Sequence, residues 1–488
     1  MPVVWVSSFT FVSDKKSKYN SLPIVTPRTF RGTRDFLPGE LLGRRRILTV
    51  IEEAYRRYGF QPLETPAIEY LDILTGKSEE NDKLIYEIKR ARGEEEDTAE
   101  TAIALRYDLT VPLARVVAQY AELPRPFKRY QIQPVWRADR PQPRQGRFRE
   151  FVQCDADIVG TDSLLADAEI IALTYEVIRD LGFEKFVIRL SSRKLLHGLA
   201  VAATGDSKKF VLFCRLVDKL DKVGWEGIEA DLRGLGVKPD VAHRVFDQMG
   251  RILSQNPPDF VAAHETLNMF SSDREFWDTV MDPAFVEAAR TTKDGLKELE
   301  GVYNAALSLL VPAEMIKCDP LLARGLDYYT GPIFETVLPD YPHIGSLSGG
   351  GRYDGLVQTF SKERVPATGT TIGLDRIQTA LTQLGKFPTQ PSLTQVLVAR
   401  FDADGMSYAL KLAAELRKAG VNTEVWYDDD RIKKQFGYAD KQGIPVVVLA
   451  GPDERTREQV AVKDLRRAEQ KEVPLTDLVS TVRAILGE

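Results

Sequence analysis

Cysteine is scarce in this chain of 488 residues: Cys154, Cys214 and Cys318 are the only three, far apart and in no metal-like pairing. An odd, scattered set argues against a disulfide framework and fits a reducing compartment, so a cytoplasmic location is expected. Histidine is almost as scarce, at positions 197, 243, 264 and 343 only, with no HExxH pair and no Cys/His cluster. Zinc catalysis is therefore not expected, and no metal site built from protein side chains alone. No window approaches the roughly 18 apolar residues that a membrane-spanning helix needs, so no membrane partner is expected. Nor is there an excess of positive charge, the formal net charge being -5. An RNA partner would have to be held by local basic patches rather than by an overall field. Residues 1–27 lack a basic start followed by a long apolar core, which argues against a secretory signal, and they lack the arginines of an organelle transit peptide. They read as a disordered N-terminal extension or the product of an upstream start codon.

What is present is an ordinary globular composition, 43% apolar and 28% charged, in a chain long enough for about three domains. After Asp35-Phe-Leu-Pro38, apolar Leu42, Ile47, Val50, Ile51, Ala54 and Tyr55 recur at helical spacing. Arg44, Arg45, Arg46, Glu52, Glu53 and Arg57 are assigned to the polar face, and Gly59 reads as the C-terminal stop. Residues 60–69 (FQPLETPAIE) read as a short extended segment whose Pro66 suits an edge. Residues 126–137 and 147–160 predict two strands joined by a loop rich in Arg, Pro and Gln, the second with alternating character. A helix is predicted over 164–181, with Asp162 or Ser163 as N-cap and Gly182 after its end. Residues 195–314 are dominated by charged, helical stretches and read as a helical insertion. Strand and glycine signals resume at 316–338 and 345–355, a helix follows near 375–384, and 386–393 is a linker by composition. From 394 to 488, strand-like QVLVAR, VNTEVWY and PVVVLAG alternate with helical segments, an α/β domain of its own.

Three clusters can carry chemistry. From Arg125 to Glu150, eight basic residues (125, 128, 129, 137, 140, 144, 147, 149) face two acidic ones and are interleaved with Phe127, Tyr130, Trp136, Phe148 and Phe151. Guanidinium groups beside aromatics provide phosphate clamping and base stacking together; a solvated hairpin is the bland alternative. In ARGLDYYTGPIFE (323–335), Arg324, Asp327, Tyr328 and Tyr329 place a cation, a carboxylate and two phenols within six residues. Core tyrosines with an Arg–Asp pair would explain that equally well. The glycines of SLSGGGRYDGL (346–356) permit close backbone approach to a ligand, but glycines equally serve turns. Thr75-Gly-Lys-Ser78 ends like a phosphate loop but has Leu71 where the first glycine is required, so it is rejected. His197, His243 and His264 lie in charged helical sequence and read as surface residues.

Taken together, these segments resemble the histidyl-tRNA synthetase family from about Arg31 to Glu488. RGTRDFLPGE with the following helix, ending at Pro66, resembles class II motif 1, which in that class builds the dimer interface. ALRYDLTVPLAR (104–115) is similar to the histidine-binding strand, and YQIQPVWRADRPQPRQGRFREFVQCDADIVG (130–160) to motif 2. LLARGLDYYTGPIFE and GGGRYDGL resemble the two histidine-specific signatures, and GTTIGLDRI (369–377) resembles motif 3. The resemblance implies an α+β catalytic domain, an antiparallel class II synthetase sheet flanked by helices, over 28–194 and 315–385. It also implies the helical insertion at 195–314 and an α/β anticodon-binding domain at 394–488. The implied activity is ATP-dependent ligation of L-histidine to tRNA(His) through a histidyl-adenylate, by a homodimer. ATP would enter with its Mg2+, and no prosthetic group is implied.

Carried over residue by residue, Arg137 and Arg324 are the implied catalytic pair, at the α-phosphate of ATP and the reacting carboxylate. Arg147 belongs with the outer ATP phosphates, Asp139 is carried over as an ATP contact, and Phe151 and Arg376 sandwich adenine. Asp108, Thr110 and Gln153 are implied at the α-amino group, Asp157 and Tyr329 at the imidazole nitrogens, and Tyr328 and Tyr353 along the pocket. Asp139 stands where motif 2 usually has Glu. Asp108 and Asp157 stand where many bacterial members have Glu, which with the long 138–147 loop suggests a eukaryote-like branch. Arg431, Lys433, Lys434, Gln435 and Lys441 form a basic segment for RNA phosphates, or a solvated helix face. Three rival readings are less compatible with these residues. A synthetase-like regulatory subunit of ATP phosphoribosyltransferase would lack residues 394–488. A threonine or proline enzyme would not pair RGLDYYTG with GGRYDGL. An inactive RNA-binding relative would not be expected to keep Arg137, Arg324 and Arg376.

Overall fold

The computed structural model describes residues 25–75, 82–89, 101–204, 206–237, 239–272, 283–323 and 328–487. Arg324 and Asp327, the Gly-Lys-Ser of the rejected phosphate loop, and all but the end of the N-terminal extension therefore lie outside the described residues.

An eight-stranded sheet forms the frame, in the order β1-β5-β6-β11-β10-β9-β7-β8. Its longest strands are the hairpin of β5 (Phe127–Trp136) and β6 (Glu150–Val159), paired antiparallel from Phe127 opposite Val159 to Trp136 opposite Glu150. The two-residue period of β6 sets its two faces. Cys154, Ala156 and Ile158 enter the core, while Gln153, Asp155 and Asp157 point the other way. Beyond β6 come β11 (Ala367–Gly373), β10 (Ser348–Arg352), β9 (Pro332–Val337) and β7 (Val187–Ser192), all antiparallel neighbours. The edges depart from the antiparallel expectation: β1 (Gln61–Pro62) pairs parallel with β5, and β8 (Ile316–Cys318) parallel with β7. The extended segment 60–69 divides between two sheets. Its second half, β2 (Ile68–Tyr70), joins β3 (Tyr86–Ile88) and β4 (Ile103–Leu105) in a separate antiparallel sheet of three.

The helix Pro38–Arg57 starts on its own proline and buries Ile47, Ile51, Ala54 and Tyr55 against the sheet, where the Tyr55 hydroxyl donates to the Cys154 carbonyl at 2.7 Å. Arg44, assigned above to the polar face, is instead 3% exposed. Its guanidinium is paired with Asp375 at 2.8 Å, which is why a cation sits on the inward face. The helix Leu164–Asp180 begins with the Ser163 hydroxyl accepting from the Leu165 N–H and packs beside it. The insertion leaves the sheet directly from β7 into the helix Arg193–Thr204 and returns by the helix Pro283–Ser308 to β8. These two helices cross so closely that a Cβ on Gly295 would lie 2.2 Å from the Leu195 nitrogen. Their apolar residues belong to the same core as the sheet.

Residues beyond 394 form a five-stranded sheet, β13-β12-β14-β15-β16. β13 (Thr423–Val425), β12 (Val396–Val398) and β14 (Val446–Leu449) run parallel. The helices Met406–Lys418 and Leu478–Leu486 cover one face, and Ile432–Lys441 the other. The hairpin of β15 (Gln459–Asp464) and β16 (Glu469–Pro474) was not foreseen. β16 is charged and almost wholly exposed, so it carries no apolar alternation to read.

Candidate active site

One cleft of about 860 Å3 opens on the face of the large sheet toward which Gln153, Asp155 and Asp157 point. Asp108, Thr110, Arg137, Asp139, Arg147, Phe151, Gln153, Asp157, Tyr328, Tyr329, Tyr353 and Arg376 all line it. Every site residue expected from the sequence and described in the structure is thus brought to one place. Arg324 lies outside the described residues, but Leu322, Ala323 and Tyr328 on either side of it line the same cleft.

The inner end is a carboxylate pocket. Asp157 is 3% exposed and ion-paired with Arg129 at 2.9 Å, its directly opposite residue on β5. The Tyr353 hydroxyl donates to Asp157 Oδ1. Directly opposite Asp157 on β11 stands Gly369, where a Cβ would come within 2.0 Å of the same carboxylate oxygen. The tyrosines form a wall: Tyr328 meets Tyr329 and Tyr353 edge to face, with ring centroids 5.0 and 5.8 Å apart. Two of the three glycines of β10 are explained by their own neighbours. A Cβ on Gly350 would lie 2.1 Å from the Gly369 carbonyl oxygen, and one on Gly351 would lie 3.0 Å from the Tyr329 ring.

Asp108 follows β4 in the turn before the helix Thr110–Gln119. The stretch expected as a histidine-binding strand is therefore a strand, a turn and a helix start. Asp108 Oδ1 accepts from the Val111 N–H at 3.1 Å, while no partner among the described residues reaches Oδ2. Burial pushes this carboxyl up to about 6, against the pull of the Val111 N–H, Arg137 and Arg129. Burial, opposed by Arg129 and reinforced by Asp157, pushes Asp155 up to about 7. Asp157 is raised by burial too, with Arg129 and the Tyr353 hydroxyl pulling it back. Three buried carboxylates stand beside two arginines, each raised toward its protonated form by burial, and a cationic ligand group among them would favour the ionised forms.

The outer end carries the arginines. Arg137 Nε donates to the Tyr107 carbonyl at 2.8 Å and its Nη2 to Gln153 at 3.3 Å. Its guanidinium lies 5.2 Å from the Phe151 ring centroid. Gln153 in turn donates to Thr371 at 3.0 Å and to Asp155 at 3.4 Å. Arg147 is paired with Asp139 at 2.9 Å. Arg376 donates to the carbonyl and hydroxyl of Ser346 at 2.7 and 3.0 Å.

The sequence reading missed Asp155, Glu335 and Asp375, and the insertion residues Arg193, Arg215 and Lys219 that also line the cleft; Arg129 was named in the arginine cluster but not as the partner of Asp157. Asp155 could have been found from the alternation of β6, since it shares a face with Gln153 and Asp157. The insertion residues carry no such signal, because only the fold brings the helix Phe210–Val217 over the sheet. In the C-terminal domain Gln435 is fully buried and bonded to the Arg400 N–H and carbonyl, so it is withdrawn from the proposed RNA-facing set. Arg431, Lys433, Lys434 and Lys441 are exposed, and Lys434 is paired with Asp430.

Residues 32–377 match a family model described as histidyl-tRNA synthetase, and residues 395–485 one described as an anticodon binding domain. The histidine--tRNA ligase of Gloeobacter violaceus is 40% identical over 475 residues, covering 92% of this chain and 96% of that protein. That of Stenotrophomonas maltophilia is 41% identical over 484 residues, 95% of this chain and 99% of its own. The crystal structure of histidyl-tRNA synthetase from Nostoc sp. PCC 7120 superposes with a TM-score of 0.78 at 32% identity, covering 94% of this chain and all of that one. All three sources are bacterial, so they lend no support to the eukaryote-like placement.

Proposed function

The chain belongs to the histidyl-tRNA synthetase family, and from that premise we propose that it charges tRNA(His) with L-histidine at the cleft described above. A carboxylate oxygen of histidine attacks the α-phosphorus of ATP and pyrophosphate leaves, giving histidyl-adenylate. The terminal adenosine hydroxyl of the tRNA then attacks the acyl carbon and AMP leaves.

The observation that carries this reading is the convergence of twelve expected side chains on one cleft with an acidic end and a basic end. Histidine belongs at the acidic end. Its ammonium group meets Asp108, whose Oδ2 has no partner among the described residues, with Thr110 and Gln153 beside it. Its imidazole lies between Asp157 and Tyr329, with Tyr328 and Tyr353 around it. Imidazole has two polar atoms, and a pocket that satisfies both strands its buried groups when any other side chain enters. At the basic end Arg137 holds the α-phosphate, where a planar fork stabilises the charge that grows there. Arg147 reaches toward the outer phosphates, Asp139 stays beside ATP as the partner of Arg147, and Phe151 and Arg376 flank adenine. Arg324 is assigned to the reacting carboxylate. Mg2+ would enter bound to the phosphates of ATP and would help offset their charge.

The remaining assignments complete the proposal. Residues 28–194 with 315–385 form the catalytic domain, 195–314 the insertion, 386–393 the connection and 394–488 the part that reads the tRNA. The working form is a homodimer through the segment around Pro38–Arg57. The location is the cytoplasm, in keeping with three buried cysteines that form no disulfide. No described helix is long and apolar enough to cross a membrane.

ATP–pyrophosphate exchange with each amino acid in turn tests the central claim. Histidine alone should support exchange; exchange with none, or with threonine in its place, overturns it. Arg324→Ala should abolish exchange in a folded protein, and near-normal exchange would remove Arg324 from its role.

A further inference from the structure

Asp375 has no part in the roles assigned so far, yet it touches both halves of the nucleotide end of the cleft. It is 2% exposed and lies in the first turn of the helix Leu374–Gln383, one residue before Arg376. Its Oδ1 accepts from Arg34 and from Arg44 Nη1, the latter at 2.8 Å. Its Oδ2 accepts from the Val152 N–H at 3.1 Å, and Val152 directly follows Phe151. One carboxylate is therefore connected through the backbone to Arg376 on one side and to Phe151 on the other.

The two arginines are themselves held. The Arg34 guanidinium lies 3.5 Å from the Phe148 ring centroid and 4.7 Å from that of Phe36, and the Arg44 guanidinium lies 4.0 Å from Phe36. Arg44 also donates to Gln378, one turn along from Asp375, and Gln378 donates to Glu40 on the helix that carries Arg44. The arginine loop closes on the same point: a Cβ on Gly146 would lie 3.0 Å from both the Arg376 Cα and the Asp375 carbonyl oxygen. A buried carboxylate with two cations is stable but costs desolvation, and apolar packing would serve stability alone as well. The bonds here converge on 151–152 and 375–376, where spacing matters for a flat ligand.

We propose that Asp375, clamped by Arg34 and Arg44, is a positioning residue that sets the gap between Phe151 and Arg376 before ATP arrives. This rests on the reading that adenine lies between those two side chains. The helix Pro38–Arg57 thereby takes part in nucleotide binding without touching the nucleotide.

The test is ATP–pyrophosphate exchange by the full chain, with the KM for ATP, the KM for histidine and kcat measured separately. Asp375→Asn keeps an oxygen for the Val152 N–H but loses the charge that holds both arginines. Arg44→Met keeps bulk and removes the cation, and Arg44→Lys returns a cation. Asp375→Asn and Arg44→Met should raise the KM for ATP about tenfold or more, with the KM for histidine unchanged within about twofold. Arg44→Lys should recover most of the loss. A parallel rise in both KM values, or a lower melting temperature with neither KM changed, overturns the proposal. If Asp375→Asn does not fold, the two Arg44 variants carry the same test. Phe151→Ala and Arg376→Ala separate the premise from the inference. Should they leave the KM for ATP unchanged, the adenine slot itself is misplaced. Should they raise it while Asp375→Asn does not, only the positioning role falls.

Discussion

A carboxylate deprived of water must find its counter-charge and hydrogen bonds in the protein, and Asp157 finds them in Arg129 and the Tyr353 hydroxyl. Both partners are themselves buried, so the bond from Tyr353 is a charge-assisted one with little competition from solvent. Tyr353→Phe should cost about 2 kcal/mol of histidine binding, a roughly thirtyfold rise in the KM for histidine in exchange assays, with the KM for ATP little changed. Asp108 makes a second prediction, about pH. Its carboxyl is pushed up to about 6 by burial, so the folded chain holds that proton more tightly than the unfolded one. The stability this group contributes is therefore present at low pH and lost as pH rises through about 6. Ligand binding runs the other way, because an ammonium group needs the ionised carboxylate. Calorimetric affinity for histidine should fall as pH drops below about 6, and Asp108→Asn should flatten that limb relative to the native chain. A limb of equal steepness in Asp108→Asn would assign it to the titration of free histidine instead. At this scale, Gln153 and Asp157 were legible through the motif resemblance. The alternation of β6 explains why they share a face, though it was not used to find Asp155 between them. Residue types were not legible where a distant partner reverses the usual rule, as Asp375 does for Arg44.

At the level of elements, the two-residue period explains what periodicity alone could read. The hairpin β5–β6 announced itself through alternation and turn-forming residues, and so did the helices Pro38–Arg57 and Leu164–Asp180 through apolar spacing and caps. The glycines of β10 and β11 carried no such signal, because their reason lies across the sheet. At Gly369 and Gly350 side chains are excluded by Asp157 and by the neighbouring backbone, not by a turn or by the ligand. Gly369→Ala puts a methyl group where the Asp157 carboxylate now stands. The expected outcome is a loss of about 1–3 kcal/mol in stability through overpacking, seen as a lower melting temperature, together with a larger loss of histidine affinity as Asp157 is pushed off Arg129. Stability falling with histidine affinity intact would mean that Asp157 can swing aside without leaving the pocket's chemistry.

In the whole molecule, the interior of the catalytic part, packed around its large and three-stranded sheets, is separate from that around the five-stranded sheet of residues 394–488. Their division was readable from composition at Gly385–Ser392, but composition could not say where that segment attaches. Phe387 packs against the first core, and a Cβ on Gly43 in the helix Pro38–Arg57 would lie 2.5 Å from its ring. Arg46 of the same helix donates to Gln390, and Lys386 pairs with Glu184 at 3.0 Å. The first half of the connection therefore belongs to the catalytic part in the physical sense, and a cut should respect it. A chain ending at Ser392 should keep Phe387 and Gln390 in place, melt close to the catalytic transition of the full chain, and retain ATP–pyrophosphate exchange with histidine. A chain ending at Gly385 exposes the surface that Phe387 covered, and removing a large packed aromatic costs about 3 kcal/mol or more, so its melting temperature should fall clearly below that of the longer piece. Both should be poor at charging tRNA, because the surface bearing Arg431, Lys433 and Lys441 has been removed. If the piece ending at Ser392 charged tRNA(His) as well as the full chain, the C-terminal domain would have no part in reading the tRNA, and its exposed basic helix would be a solvated face after all.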